Sequence, residues 1–78
     1  MEVDIRTYAT LCKYTGHKTG VPFSIKLDEG TQIKRLIEIL GIPAHEVKLI
    51  IVNGRLVEKE HLLKAGDRVS IFPPLAGG

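Results

Sequence analysis

Hydrophobic and polar residues alternate from Glu2 to Tyr8, with Val3, Ile5 and Thr7 on one face and Glu2, Asp4, Arg6 and Tyr8 on the other. A period of two is that of a half-buried β-strand. Ala9 to Gly20 loses the pattern and carries Gly16 and Gly20 among polar groups, which predicts a loop with a helical turn around Leu11. Alternation returns from Val21 to Leu27 through Phe23, Ile25 and Leu27, a second strand. The period then lengthens. Ile33, Leu36, Ile37 and Leu40 fall at i, i+3, i+4 and i+7, the single apolar stripe of an amphipathic helix. Thr31 is the expected N-cap, its hydroxyl accepting from an amide of the first turn. Gly41 suits the left-handed position after the last turn, with Ile42 closing back on Ile37, and Pro43 stops the helix from resuming.

Lys48 to Val52 is an apolar run ending at Asn53-Gly54, the dipeptide favoured in a type I′ hairpin turn, so Arg55 to Val57 predicts a short returning strand. Glu58 to Lys64 predicts a connection, Lys64-Ala65-Gly66-Asp67 a turn, and Arg68 to Phe72 a last strand. In that strand Val69 and Ile71 face inward, while Arg68, Ser70 and Phe72 face outward. The order strand, strand, helix, strand, short strand, strand predicts an α+β fold: a mixed sheet of four to five strands with one main helix on one face. That is the order of the β-grasp, or ubiquitin-like, fold. Residues 1–72 form the expected domain and 73–78 a flexible tail.

At 78 residues, 44% hydrophobic and 26% charged, the chain has globular composition and the length of one domain. A single cysteine, Cys12, excludes an internal disulfide framework and suits a reducing compartment, and Cys12 itself reads as a small buried or half-buried side chain rather than a nucleophile. With no charged-then-apolar leader and no apolar run of spanning length, the expectation is a cytoplasmic protein without membrane attachment. The net charge of +2 is spread among acids, as in Glu58-Lys59-Glu60, and no basic block with stacking aromatics advertises a nucleic-acid partner. His17, His45 and His61 sit in separate turn-like segments without metal-site spacing, and Gly16-His17-Lys18-Thr19-Gly20 lacks the spacing of a phosphate loop. No catalytic constellation and no metal site emerge. The expectation is a non-enzyme.

The chemistry that remains is at the end, Phe72-Pro73-Pro74-Leu75-Ala76-Gly77-Gly78. A terminal carboxylate can be activated and attacked. Glycines without a β-carbon pass through a narrow channel, and Pro73 and Pro74 favour extended backbone that projects the tail from the sheet. Leu75 and Ala76 give that segment modest apolar grip. Together with Arg6-Thr7-Tyr8-Ala9-Thr10-Leu11, Val52-Asn53-Gly54-Arg55 and Lys64-Ala65-Gly66-Asp67-Arg68-Val69, this end resembles the sulfur carriers related to the small subunit of molybdopterin synthase (MoaD) and to the thiamine-pathway carrier (ThiS). Phe-Pro-Pro is closer to the molybdopterin branch. The resemblance implies that Gly78 is adenylated by a ubiquitin-activating-type enzyme using ATP and converted to a thiocarboxylate. Its sulfur is then delivered in a synthase large subunit or another acceptor. It also implies that the carrier binds no cofactor of its own.

Tyr8 and Phe72 are predicted to face away from the helix, as is at least one of Leu49 and Ile51 if Ile50 and Val52 face it. With Arg6 and Arg68 as rim, Tyr8, Leu49, Ile51 and Phe72 make an expected docking patch. The competing reading of Phe72 is a core residue folded over the sheet edge. Rival functions are a ubiquitin-like modifier conjugated through Gly78, a thiamine-pathway carrier, a small RNA-binding module, and a structural domain that leaves the tail unexplained.

Overall fold

Strand β1 (Glu2–Thr7) buries Val3, Ile5 and Thr7 and turns its alternate residues outward, as a period of two dictates. In the computed structural model, which describes residues 1–74, this strand is followed by a 3-10 turn (Ala9–Leu11) and the one-turn helix α1 (Cys12–Thr15). Strand β2 (Phe23–Lys26), helix α2 (Ile33–Ile39), a second 3-10 turn (Ala44–Glu46), β3 (Leu49–Val52), β4 (Arg55–Leu56) and β5 (Arg68–Phe72) complete the order. The sheet runs β2-β1-β5-β3-β4. Its two central strands, β1 and β5, are parallel, and the other neighbours are antiparallel. This is the expected α+β arrangement, a five-stranded mixed sheet with the β-grasp connectivity.

One face of the sheet is closed by α2. Val3, Ile5, Ile50, Val52, Val69 and Ile71 meet Ile33, Leu36 and Ile37 in a continuous core, joined by Leu11, Leu27, Ile42 and Leu63. Burying such side chains stabilises a fold by about 1.5–3 kcal/mol each before entropy is counted.

The end of α2 is set locally. Gly41 adopts φ +75°, its amide donates to the Glu38 carbonyl at 3.0 Å, and the Ile42 amide donates to the Ile37 carbonyl at 3.1 Å. Those two bonds are the Schellman closure. A methyl at Gly41 would meet no atom within 4 Å, so Gly41→Ala carries only the backbone penalty of a left-handed residue, about 1 kcal/mol. Thermal unfolding of that variant is expected to fall by about 4–8 °C.

The start of α2 corrects the expected cap. Gln32, not Thr31, precedes the helix, and no side chain caps it. The Thr31 hydroxyl instead donates to the Asp28 carbonyl at 2.6 Å. First-turn amides are satisfied by a remote segment: Ile33 donates to the His61 carbonyl at 3.0 Å and Lys34 to the Lys59 carbonyl at 2.9 Å. Backbone acceptors laid across the helix start do the work that a hydroxyl would have done.

Asn53 (φ +52°) and Gly54 (φ +82°) form the expected hairpin turn. Asn53 also ties that turn to the start of β5. Its Nδ2 donates to Asp67 at 2.9 Å, and its Oδ1 accepts from the Arg68 amide at 2.9 Å. The buried Asp67 accepts a further bond from the Lys64 amide at 2.8 Å. Strand register from the turn through β5 is thereby fixed at one end of the sheet, and the last strand delivers its final residues to the other.

Candidate functional site

The outer face of β5 ends at Phe72, one step after the buried Ile71. Because β1 and β5 are parallel and Thr7 pairs with Ile71, the residue after β1 arrives beside Phe72. That residue is Tyr8. The two rings stack with centroids 4.3 Å apart and planes 13° from parallel, a contact worth about 0.5–1.5 kcal/mol beyond area burial. Two backbone features bring Tyr8 there. Ala9 takes φ +51°, unusual for a residue with a side chain, and its amide donates to the Thr19 hydroxyl at 3.2 Å. Gly20 (φ +71°) donates to the Thr7 carbonyl at 3.0 Å, and its Cα lies so close to the Tyr8 ring that an added Cβ would sit 3.4 Å from it.

On the other side of β5, Leu49 pairs with Phe72 and Ile51 with Ser70. Ile50 and Val52 point into the core at 7% and 3% exposure, so Leu49, at 41%, and the half-buried Ile51 point outward. The structure therefore brings Tyr8, Phe72, Leu49 and Ile51 onto one face. Arg6 lies half-buried beside them with its guanidinium 3.5 Å from Asp4, and Arg68 is exposed at the start of β5.

Sequence reasoning missed Leu56. It pairs with Ile51 across the hairpin, shares its face, and at 68% is the most exposed large apolar side chain among the described residues. Counting through the Asn53-Gly54 turn finds it, since a two-residue loop opposes Val52 to Arg55 and Ile51 to Leu56. The apolar patch thus extends from the end of β1 to the sheet edge.

Pro73, expected as the first tail residue, is buried, and Pro74 is exposed. Leu75, Ala76, Gly77 and Gly78 lie outside the described residues. The Phe72 carbonyl accepts from the Lys48 amide at 2.8 Å, the last ladder bond before the chain leaves the sheet. Near the same end, the Tyr14 hydroxyl of α1 donates to the Glu46 carboxylate. That bond, with desolvation and the negative charge of Glu46, holds the Tyr14 hydroxyl above its ordinary range.

The other candidate groups stand apart. The half-buried Cys12 donates its thiol to the Thr7 carbonyl at 3.5 Å, and His17 stacks on Phe23 with centroids 3.8 Å apart. Among the described residues no three His, Cys, Asp or Glu side chains converge as a metal site would require. A concavity of about 720 Å³ between α2 and β3–β4 has Ile37, Ile42, Val47, Ile50 and Val57 on its apolar floor, and no histidine, cysteine, serine or threonine lines it. No helix among the described residues is long and apolar enough to cross a membrane.

Solved structures share this architecture. A candidate molybdopterin converting factor subunit 1 of Pyrococcus furiosus is 27% identical, with a TM-score of 0.72 over 96% of this chain and 99% of its own. A chain from the complex of subunits 1 and 2 of the molybdopterin-converting factor of Helicobacter pylori is 26% identical, with a TM-score of 0.64 and full coverage of both chains. SAMP1 of Haloferax volcanii, at 17% identity, shares the fold with a TM-score of 0.75 and full coverage of both chains. No curated protein sequence matches. With the family model described as Mut7-C ubiquitin matching residues 1–76, the chain belongs to that family of ubiquitin-like domains.

Proposed function

We propose that the protein is a sulfur carrier whose Gly78 carboxylate is the reacting group. The observation that carries this reading is the sequence Pro-Pro-Leu-Ala-Gly-Gly, running on from the last strand of a ubiquitin-like domain. The family match ends at Ala76, so the reading rests on Gly77 and Gly78 themselves. Adenylation of the carboxylate by a ubiquitin-activating-type enzyme consumes ATP and releases pyrophosphate. A persulfide then attacks the acyl carbon, expels AMP and leaves an acyl disulfide, which a thiol reduces to the thiocarboxylate. In this reading the chain holds no cofactor and no catalytic side chain, and ATP is bound by its partner.

Likeness to two molybdopterin-converting-factor chains at 26–27% identity supports a pterin precursor as acceptor and a synthase large subunit as partner. The patch of Tyr8, Phe72, Leu49, Ile51 and Leu56 is the docking surface in this reading. Arg6 and Arg68 supply its polar rim. An apolar centre with an aromatic anchor is the usual composition of an interface hot spot. A cytoplasmic location is consistent with a reaction that needs ATP and a persulfide donor.

Intact mass after incubation with ATP, sulfide and a ubiquitin-activating-type enzyme tests the reading. The expected result is a gain equal to the replacement of one oxygen by sulfur, lost again when alanine is appended after Gly78. A chain that instead gains no sulfur but appears in isopeptide linkage to protein lysines is a modifier.

A further inference from the structure

The end of β5 is held from both sides of the sheet. Outside, Phe72 stacks on Tyr8. Inside, Pro73 continues the alternation of Val69 and Ile71 and is buried. The Tyr14–Glu46 hydrogen bond belongs to neither strand that flanks β5, yet it joins their continuations. Tyr14 lies in α1, which follows β1, and Glu46 closes the 3-10 turn that precedes β3. β1 and β3 are the two neighbours of β5. Parallel pairing puts the end of β1 at the end of β5, and antiparallel pairing puts the start of β3 there too. The bond therefore joins the two segments that flank the end of β5. Tyr14 also packs on the core, so its position is fixed independently of Glu46.

We infer that the Tyr14–Glu46 pair is a clasp closed over the inner side of the β5 terminus, and that both are positioning residues for the tail that begins after Pro73. A ring and a carboxylate bridging the flanking segments keep Pro73 seated. A seated Pro73 keeps the Phe72 carbonyl on the Lys48 amide and fixes the point from which the reacting end departs. Binding a pre-aimed tail costs an enzyme less ordering than binding one whose root wanders. The functional half of this inference rests on the carrier reading, and the structural half does not.

Hydrogen exchange of the full chain, read at the Lys48 amide, tests the clasp directly. Tyr14→Phe keeps the ring and removes the donor, so Lys48 exchange is expected to rise severalfold while the central amides of β1 and β5 stay unchanged. Glu46→Gln retains an acceptor and is expected to fall between wild type and Tyr14→Phe. The double variant is expected to be no faster than Tyr14→Phe, because both changes break one interaction. Unchanged Lys48 exchange in Tyr14→Phe overturns the clasp, as does equal acceleration of Lys48 and the central strands, which marks Tyr14 as general core.

With ATP, sulfide and an activating enzyme, Tyr14→Phe is expected to raise KM severalfold with kcat nearly constant. Faster Lys48 exchange with KM unaltered overturns the positioning role. If the wild-type chain itself gains no sulfur, the carrier reading and the positioning role fall together, and the exchange result alone decides the clasp.

Discussion

Removing Gly77 and Gly78 is expected to abolish thiocarboxylate formation and to leave the melting temperature where it was. Among the described residues the apolar core runs from Val3 to Ile71, and the last buried position is Pro73. The two glycines lie beyond the described residues, and with no side chain they remove no apolar surface when deleted. The chemical effect is the opposite extreme. A chain ending at Ala76 presents its carboxylate two residues short of the adenylating centre, and a missing reacting group is not offset by binding elsewhere. Calorimetry and intact mass on the same preparation check both halves. A fall of several degrees makes the tail part of the packed structure and removes the basis of the carrier reading.

Phe72→Ala is expected to weaken binding of the synthase large subunit by about 2 kcal/mol, some thirtyfold in Kd, the scale of an aromatic anchor. The free domain is expected to lose the stacking contribution of about 0.5–1.5 kcal/mol and, because Phe72 is only half-buried and its main partner is the Tyr8 ring, only part of the burial free energy of a core ring. Titration calorimetry against that subunit, with thermal unfolding of the free variant, separates the two losses. Tyr8→Ala is expected to weaken binding in the same direction, and the double variant by less than the sum, since the rings share one contact. A variant that unfolds readily yet binds with wild-type affinity assigns Phe72 to the core and moves the docking surface elsewhere, with Leu56 as the next anchor to test.

What the sequence made legible was local. The stripe of Ile33, Leu36, Ile37 and Leu40 and the glycine behind it specify a helix and its stop within ten residues, and the structure ends α2 on those bonds. Asn53-Gly54 specified its turn for the same reason, and alternation assigned the faces of β1, β3 and β5. Interactions between distant segments were not legible. Thr31 has the right chemistry for a cap, but carbonyls of Lys59 and His61 reach the helix start first, and nothing within a turn of Thr31 announces them. Tyr14 and Glu46 meet across thirty-two positions through a bend whose geometry no short pattern encodes. Alternation pointed Tyr8 and Phe72 to the same face, while their stacking depends on the parallel register of β1 and β5 and on the left-handed Ala9.

Central pairing of β1 with β5 has a mechanical consequence. Tension applied to the end of β5 pulls against the start of β1, and the two strands run parallel. The force is then resisted in shear: the bonds of the ladder share it together instead of opening one after another, as they would in a peeled hairpin. Two further ladders, β1 with β2 and β3 with β5, anchor the same pair on either flank. A partner that grips the tail and draws it into a tight channel thus loads the central ladder in shear, the geometry in which its bonds act together.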